Sequence, residues 1–286
     1  MRRLVPCILA LMTLVGAAKT ASAQSRPLVT EDPETVPVGN ILLEGGLDIT
    51  RDTSFPASGL RGTLWRIATI GASFGVSSIA EIQIDGGLRN ILNITSRNPN
   101  APLASMLTVS DTDTSTGDFE DLRFGAKVRI VSETEGRPAF ALRFVTRLPN
   151  AGNESGLGLD TTDFHFGVLF GKTVRSIRFV GNAGLGILGD PERGDSQNDV
   201  VDYGASIARA VATGVELVGE VNGYVSTRSG TPPVGTDSRA MMRMGARITK
   251  SSVRADVGLL IGITSNDPSW GITTGFTWVF KAFSVQ

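Results

Sequence analysis

The chain has 286 residues, and its 27 Lys and Arg nearly balance 28 Asp and Glu, which excludes the basic surface that nucleic-acid binding requires. Its single cysteine, Cys7, stands close to the start, so the body of the protein carries neither a disulfide framework nor thiolate chemistry. No segment beyond the first residues is apolar for the roughly 20 positions that a membrane-spanning helix needs.

Arg2 and Arg3 form a positive n-region, Leu4 to Ala18 an apolar h-region, and Ala21-Ser22-Ala23 supplies the small residues that precede signal-peptide cleavage. The apolar run is too short for an anchor, and Cys7 lies inside it rather than at its end, which argues against a lipoprotein. Residues 1–23 are therefore expected to be a signal peptide. Residues 24–38 are expected to be a periplasmic N-terminal segment, 39–280 the folded body and 281–286 a C-terminal tail. Loss of Arg2, Arg3 and Lys19 with the leader makes the exported chain mildly acidic.

From Gly39 onward the sequence alternates with period two. In Asn40–Thr50, Ile41, Leu43, Leu47 and Ile49 alternate with a set that contains Glu44 and Asp48. Leu64–Val76 changes parity near its start, which predicts a bulge. Ala80–Asn90 sets Ile82, Ile84 and Leu88 against Glu81, Gln83, Asp85 and Arg89. Asp121–Val131 sets Leu122, Phe124, Val128 and Ile130 against Asp121, Arg123, Lys127 and Arg129. Pro138–Leu148 and Asp163–Gly171 follow, with Arg143 and Arg147 on the polar face of the first and Asp163 and His165 on that of the second. Arg175–Ile187, Val201–Val211, Val215–Val225, Arg239–Ile248, Val253–Ile261 and Trp270–Phe280 complete the series. Each reads as a strand with one dry and one wet face. Twelve is the even count expected of a single-chain bacterial barrel.

The connections alternate as well. Long polar loops are expected near 51–60, 91–117, 150–161, 188–199, 226–238 and 264–269, and short turns lie between them. Outer-membrane barrels have this asymmetry, with long loops outside the cell and short turns in the periplasm. Around twelve strands, a wholly apolar lumen would be left partly empty. An Arg facing lipid near mid-membrane would cost about 2–4 kcal/mol. The apolar rows should therefore face lipid and the charged rows water. The expected fold is all-β: a transmembrane antiparallel up-and-down β-barrel of about twelve strands. Trp65, Trp270, Trp278 and Tyr203 are the candidates for a thin aromatic girdle. The last strand ends Phe276, Trp278, Phe280, similar to the C-terminal signal by which barrel-insertion machinery recognises its clients, although the tail Lys281–Gln286 follows it.

The polar faces supply the candidate functional residues, and they are lumen residues that set solute selectivity. The basic set is Arg123, Lys127, Arg129, Arg143, Arg147, Arg239, Arg243 and Arg247; the acidic set is Glu44, Asp48, Glu81, Asp85, Asp163, Glu216 and Glu220. Two arrangements are open: cross-strand ion-pair ladders that stiffen the barrel, or a basic stripe facing an acidic one across a constriction. His165 with Asp163 two residues away could orient a base, yet no serine motif accompanies them, so no catalytic residue is assigned. The run Asp111-Thr112-Asp113 lacks the glycine and closing glutamate of a calcium loop. No metal or cofactor is expected.

Several stretches carry a resemblance to a known family. They are Arg26-Pro27-Leu28-Val29-Thr30-Glu31-Asp32-Pro33 with Pro37-Val38-Gly39, Gly117-Asp118-Phe119-Glu120-Asp121-Leu122 leading into Lys127, and Arg147-Leu148-Pro149 before a Gly/Asn loop. Over most of the exported chain the sequence resembles the transporter-like outer-membrane family linked to the MetA pathway of phenol degradation. The resemblance implies a pore for small organic compounds and transfers no binding residue. The expectation is a passive channel for small, aromatic or hydrophobic solutes in the Gram-negative outer membrane, in contact with its lipid. The segment Arg26–Val38 is expected at the periplasmic mouth, where it limits flow. The alternative is a closed structural or ligand-binding barrel that acts through its extracellular loops.

Overall fold

A chain that alternates at period two can satisfy its backbone inside a bilayer only by closing its sheet on itself. The computed structural model, which describes residues 25–284, shows this closure. The expected signal peptide, Cys7, Gln24 and the last two residues lie outside the described residues. The strands are β1 (Asn40–Phe55), β2 (Leu60–Gly75), β3 (Ala80–Arg97), β4 (Ser115–Asp118), β5 (Arg123–Val131), β6 (Ala139–Arg147) and β7 (Asp163–Val174). They continue with β8 (Ile177–Gly189), β9 (Gln197–Ala212), β10 (Val215–Ser226), β11 (Arg239–Lys250), β12 (Val253–Gly262) and β13 (Trp270–Lys281). Each pairs antiparallel with its neighbours, and β1 pairs with β13 to close a twelve-stranded barrel. β4 and β5 together occupy one position in the wall. Both pair with β3, β4 through Asn90–Asn93 and β5 through Ala80–Asp85. Between them the chain leaves the ladder, and the outward Leu122 and inward Glu120 cover Gly86 and Gly87 of β3.

The sidedness follows the alternation. Ile82, Phe124, Phe144, Phe166, Leu185, Leu217, Leu259 and Phe276 are all exposed on the outer surface, where they meet membrane lipid. Cross-strand aromatic pairs strengthen that surface, Phe140 with Phe170 at 5.5 Å and Phe144 with Phe166 at 4.9 Å between ring centroids. The inward positions carry Glu81, Lys127, Glu220, Arg247, Arg254 and Asp256, all buried. The parity change in β2 is a bulge at Ala68, whose φ is 54°. Thr69 pairs with Gly46 and Ile67 with Leu47, so Ile67 and Ile70 both face out although they are three residues apart. The same step passes to β3, where Arg89 pairs with Ile67. Arg89, read from the sequence as part of the polar row, therefore stands on the outer parity near the extracellular end.

The expected long loop at 51–60 is mostly strand. β1 runs to Phe55 and β2 starts at Leu60, because a second bulge between Thr50 and Thr53 carries the ladder past the polar stretch. The other long connections stand on the extracellular side, and two fold inward. The 148–162 connection reaches back over the lumen: Ser58 Oγ donates to the Gly156 carbonyl at 2.8 Å, and Leu107 and Leu157 pack on the cluster of Leu60, Leu64 and Leu92.

Candidate functional site

The lumen has two parts. In the periplasmic half, the segment Ser25–Val38 crosses the barrel interior and is bound to the wall along its length. At its start, Arg26 reaches Asp256 at 3.4 Å and donates to Thr273 Oγ1 at 3.0 Å, while Arg247 binds the Arg26 carbonyl at 2.6 Å. Further on, the backbone N–H groups of Val29 and Thr30 donate to the Glu220 carboxylate at 2.9 and 2.8 Å, and Leu28 packs on Ala208 and Val218. Glu31 bonds Lys127 at 2.8 Å and Gln83 at 2.9 Å, Asp32 bonds Arg178 at 2.7 Å, and Glu34 pairs with Arg129. The Val36 N–H donates to Glu81 at 2.6 Å. Burial alone would raise the Glu31 carboxyl, but Lys127 and Arg143 outweigh it and hold the group down at about 2.

The wall is shaped to seat this segment. A Cβ on Gly245 would stand 2.9 Å from Pro27, one on Gly204 2.9 Å from Thr30, and one on Gly171 2.7 Å from Pro33. A Cβ on Gly75 would collide with the Pro37 carbonyl. Inward glycines thus stand where side chains would otherwise fill the barrel.

Above the segment lies a cavity of about 810 Å³, roofed by residues 156–159. Arg123, Arg143, Arg239, Glu44, Asp85 and Tyr224 are among its lining residues. Arg147 is held there between Asp121 and Asp163, the latter at 2.7 Å. His165 meets Asp202 at 2.8 Å across β8, where Gly184 and Gly186 leave room for the two side chains to join over the strand. The pairing of His165 with Asp163 suggested by their spacing is therefore corrected. Asp163 is committed to Arg147 and to the Gly189 N–H at 3.0 Å.

The fifteen sequence-named lumen residues divide by partner. Cross-strand pairs join Glu220 to Arg243 at 2.9 Å, Glu216 to Arg247 at 3.9 Å and Glu81 to Lys127 at 3.1 Å. Lys127 and Arg129 also bind the acids of the N-terminal segment, so in this half no basic stripe faces an acidic wall across open space. Asp48 is taken by Arg66 at 2.8 Å, and Arg143 donates to Gln83 at 2.8 Å. Glu44 accepts from Thr277 at 3.1 Å, and Asp85 lies 4.0 Å from Arg143. Arg123 and Arg239 have no ion-pair partner among the described residues. Sequence reasoning missed Arg66, Glu120, Arg178, Asp202, Arg254 and Asp256, together with Arg26, Glu31, Asp32 and Glu34 of the segment. Arg178, Asp202, Arg254 and Asp256 sit at the inward parity of their own strands and were within reach of the same alternation; Arg66 was hidden by the bulge at Ala68.

No protein-family model and no curated protein sequence matches the chain. Solved structures do. An outer membrane channel from Pseudomonas putida F1 superposes with a TM-score of 0.56 at 15% identity, covering 87% of this chain and 98% of that one. LpxR from Salmonella typhimurium gives 0.44 at 10% identity, over 84% of this chain and 100% of that one. The TodX deltaS2S3 mutant monoaromatic hydrocarbon channel gives 0.41 at 10% identity, over 86% and 91%. The first of these likenesses is to the fold as a whole. The closed sheet, the apolar exterior and this likeness define the class: the protein is a twelve-stranded β-barrel of the Gram-negative outer membrane.

Proposed function

We propose that the protein is a channel that admits small solutes, aromatic and hydrophobic ones among them, by passive diffusion into its charged lumen. The observation that carries this reading is the 810 Å³ cavity above the N-terminal segment, whose wall holds charged groups that the protein does not neutralise. Arg123, Arg239 and Glu44 are the members of the lumen set left to act on a solute, and the paired members hold the wall and the segment. Sequence resemblance to the family linked to phenol degradation supports organic solutes. The segment limits flow toward the periplasm. We assign the barrel no reaction, since among the described residues His165 pairs with Asp202 and no serine or other nucleophile is hydrogen-bonded to it. Insertion machinery that reads the aromatic end of β13 is its proposed partner in biogenesis.

One observation favours the second reading, a closed ligand-binding barrel that acts through its extracellular loops. The segment is bonded to the wall from Arg26 to Val36, more continuously than a loose obstruction requires. Planar-bilayer recording of the refolded protein separates the two. The channel reading expects single-channel steps whose ion selectivity shifts toward cations in Arg123→Glu. It also expects a liposome-swelling panel of sugars, amino acids and aromatic acids to rank solutes. Electrical silence together with no swelling leaves the closed barrel.

A further inference from the structure

The three arginines that line one face of β11 meet different fates. Arg247 binds the segment and stands 3.9 Å from Glu216, and Arg243 is paired with Glu220 at 2.9 Å. Arg239, nearest the extracellular end, lines the cavity with no ion-pair partner among the described residues, and its Nε is buried without a hydrogen-bond acceptor. No carboxylate near it closes on it: Asp237, two residues away, makes no ion pair with it, and the other two are engaged elsewhere. Asp163 is held by Arg147, and Asp267 accepts from the Ala240 and Thr264 N–H groups, each at 3.0 Å. Tyr224 stands opposite Arg239 in the ladder and also faces the cavity. Apolar contact at this end comes from Val145 and Leu188 of the wall and from Leu157 and Leu159 of the inward loop, beside the polar Asn222 and Thr236.

A partly desolvated guanidinium with an empty acceptor position is costly, and the protein supplies no carboxylate to relieve it. An anion entering the cavity supplies one. The planar fork of arginine matches the two oxygens of a carboxylate, and a phenolic hydroxyl beside it adds a third donor. The leucines and Val145 offer contact to a hydrocarbon body. We infer that the extracellular half of the cavity is a binding site for small organic monocarboxylates, with Arg239 receiving the carboxylate, Tyr224 beside it, and the Val145–Leu157–Leu159–Leu188 surface receiving the apolar part. This deepens the channel reading and rests on solutes reaching the cavity, yet it is testable without conduction.

The test uses the refolded protein in lipid nanodiscs, titrated calorimetrically at neutral pH with hexanoate and with hexanamide, an uncharged molecule of nearly equal shape. Wild type should bind hexanoate at least about tenfold more tightly, a difference of about 1.4 kcal/mol. Arg239→Gln should bring the two ligands to parity, Arg239→Lys should keep part of the preference, and Arg89→Gln, on the outer side of the wall, should keep it whole. The heat-modifiable gel shift of a folded barrel controls each variant. Equal binding of the two ligands by wild type overturns the site, as does a preference that persists in Arg239→Gln or disappears in Arg89→Gln. Carboxylate binding without conductance removes the channel and leaves the site; conductance without the preference removes the site alone.

Discussion

The two halves of the lumen are built from the same residue types and end in opposite states. In the periplasmic half every basic side chain that touches the N-terminal segment has found an acid or a carbonyl. Lys127, fully buried, bonds Glu31, Glu81 and the Asp32 carbonyl, the last at 2.9 Å. In the extracellular half, Arg123 and Arg239 line a cavity and make no ion pair among the described residues. The strands do not account for the difference, since Lys127 and Arg123 share one face of β5. What differs is a second chain segment, whose acids at 31, 32 and 34 meet the cations of β5 and β8. A charge that the protein neutralises has become structure; one left open is available to a solute.

The sharpest way to break this contrast is to remove the segment. Deleting residues 25–38 should raise single-channel conductance several-fold, because it clears the periplasmic half and leaves the wall's cations solvated. Conductance unchanged by the deletion would mean that the segment does not lie in the ion path. Next in size is a matched pair of substitutions on β5. Lys127→Met leaves Glu81 buried without its cation and should destabilise the barrel by about 3–5 kcal/mol. Arg123→Met removes a charge that makes no ion pair among the described residues and should stay within about 1 kcal/mol. Urea-unfolding midpoints in lipid measure both, and similar losses for the two would erase the distinction between the halves.

How much of this the sequence discloses depends on periodicity. Strand number, faces and the bulge in β2 were legible because a half-wet strand repeats every two residues, and the repeat survives in all twelve wall positions. The parity step that exposed the bulge also concealed Arg66 and misplaced Arg89, since a one-residue insertion moves every later side chain to the other face. The path of residues 25–38 through the interior has no period to read. Only its composition gave a trace: Glu31, Asp32 and Glu34 complement the cations at 127, 129 and 178, but such complementarity names partners only after the fold is known. The His165–Asp202 pair was hidden for a similar reason, since it depends on two glycines of an intervening strand.

A gentler perturbation separates shape from charge. Gly204→Val leaves every ion pair in place but sets a branched side chain against Thr30, already 2.9 Å from the position of a Cβ. Overpacking of this kind costs about 1–3 kcal/mol. The segment should loosen around Thr30, and protease cleavage there should become faster while the barrel keeps its heat-modifiable shift. Wild-type cleavage rates would show that ion pairs alone hold the segment.

The smallest expected effect is that of mild acid, and its smallness is the point. The Glu31 carboxyl is held at about 2 against an ordinary 4.5, so its ionised form is favoured by the folded state. The stability this supplies is complete above the ordinary value and disappears only as pH falls through the folded one. Cleavage of the segment and channel conductance should therefore change only slightly between pH 7 and pH 4, although at pH 4 a solvated glutamate is about half protonated or more. Both should rise as pH approaches 2, and Glu31→Gln should remove that acid step by loosening the segment at every pH. Release between pH 4 and 5 would assign the hold on the segment to ordinary surface carboxylates rather than to the Glu31–Lys127 contact.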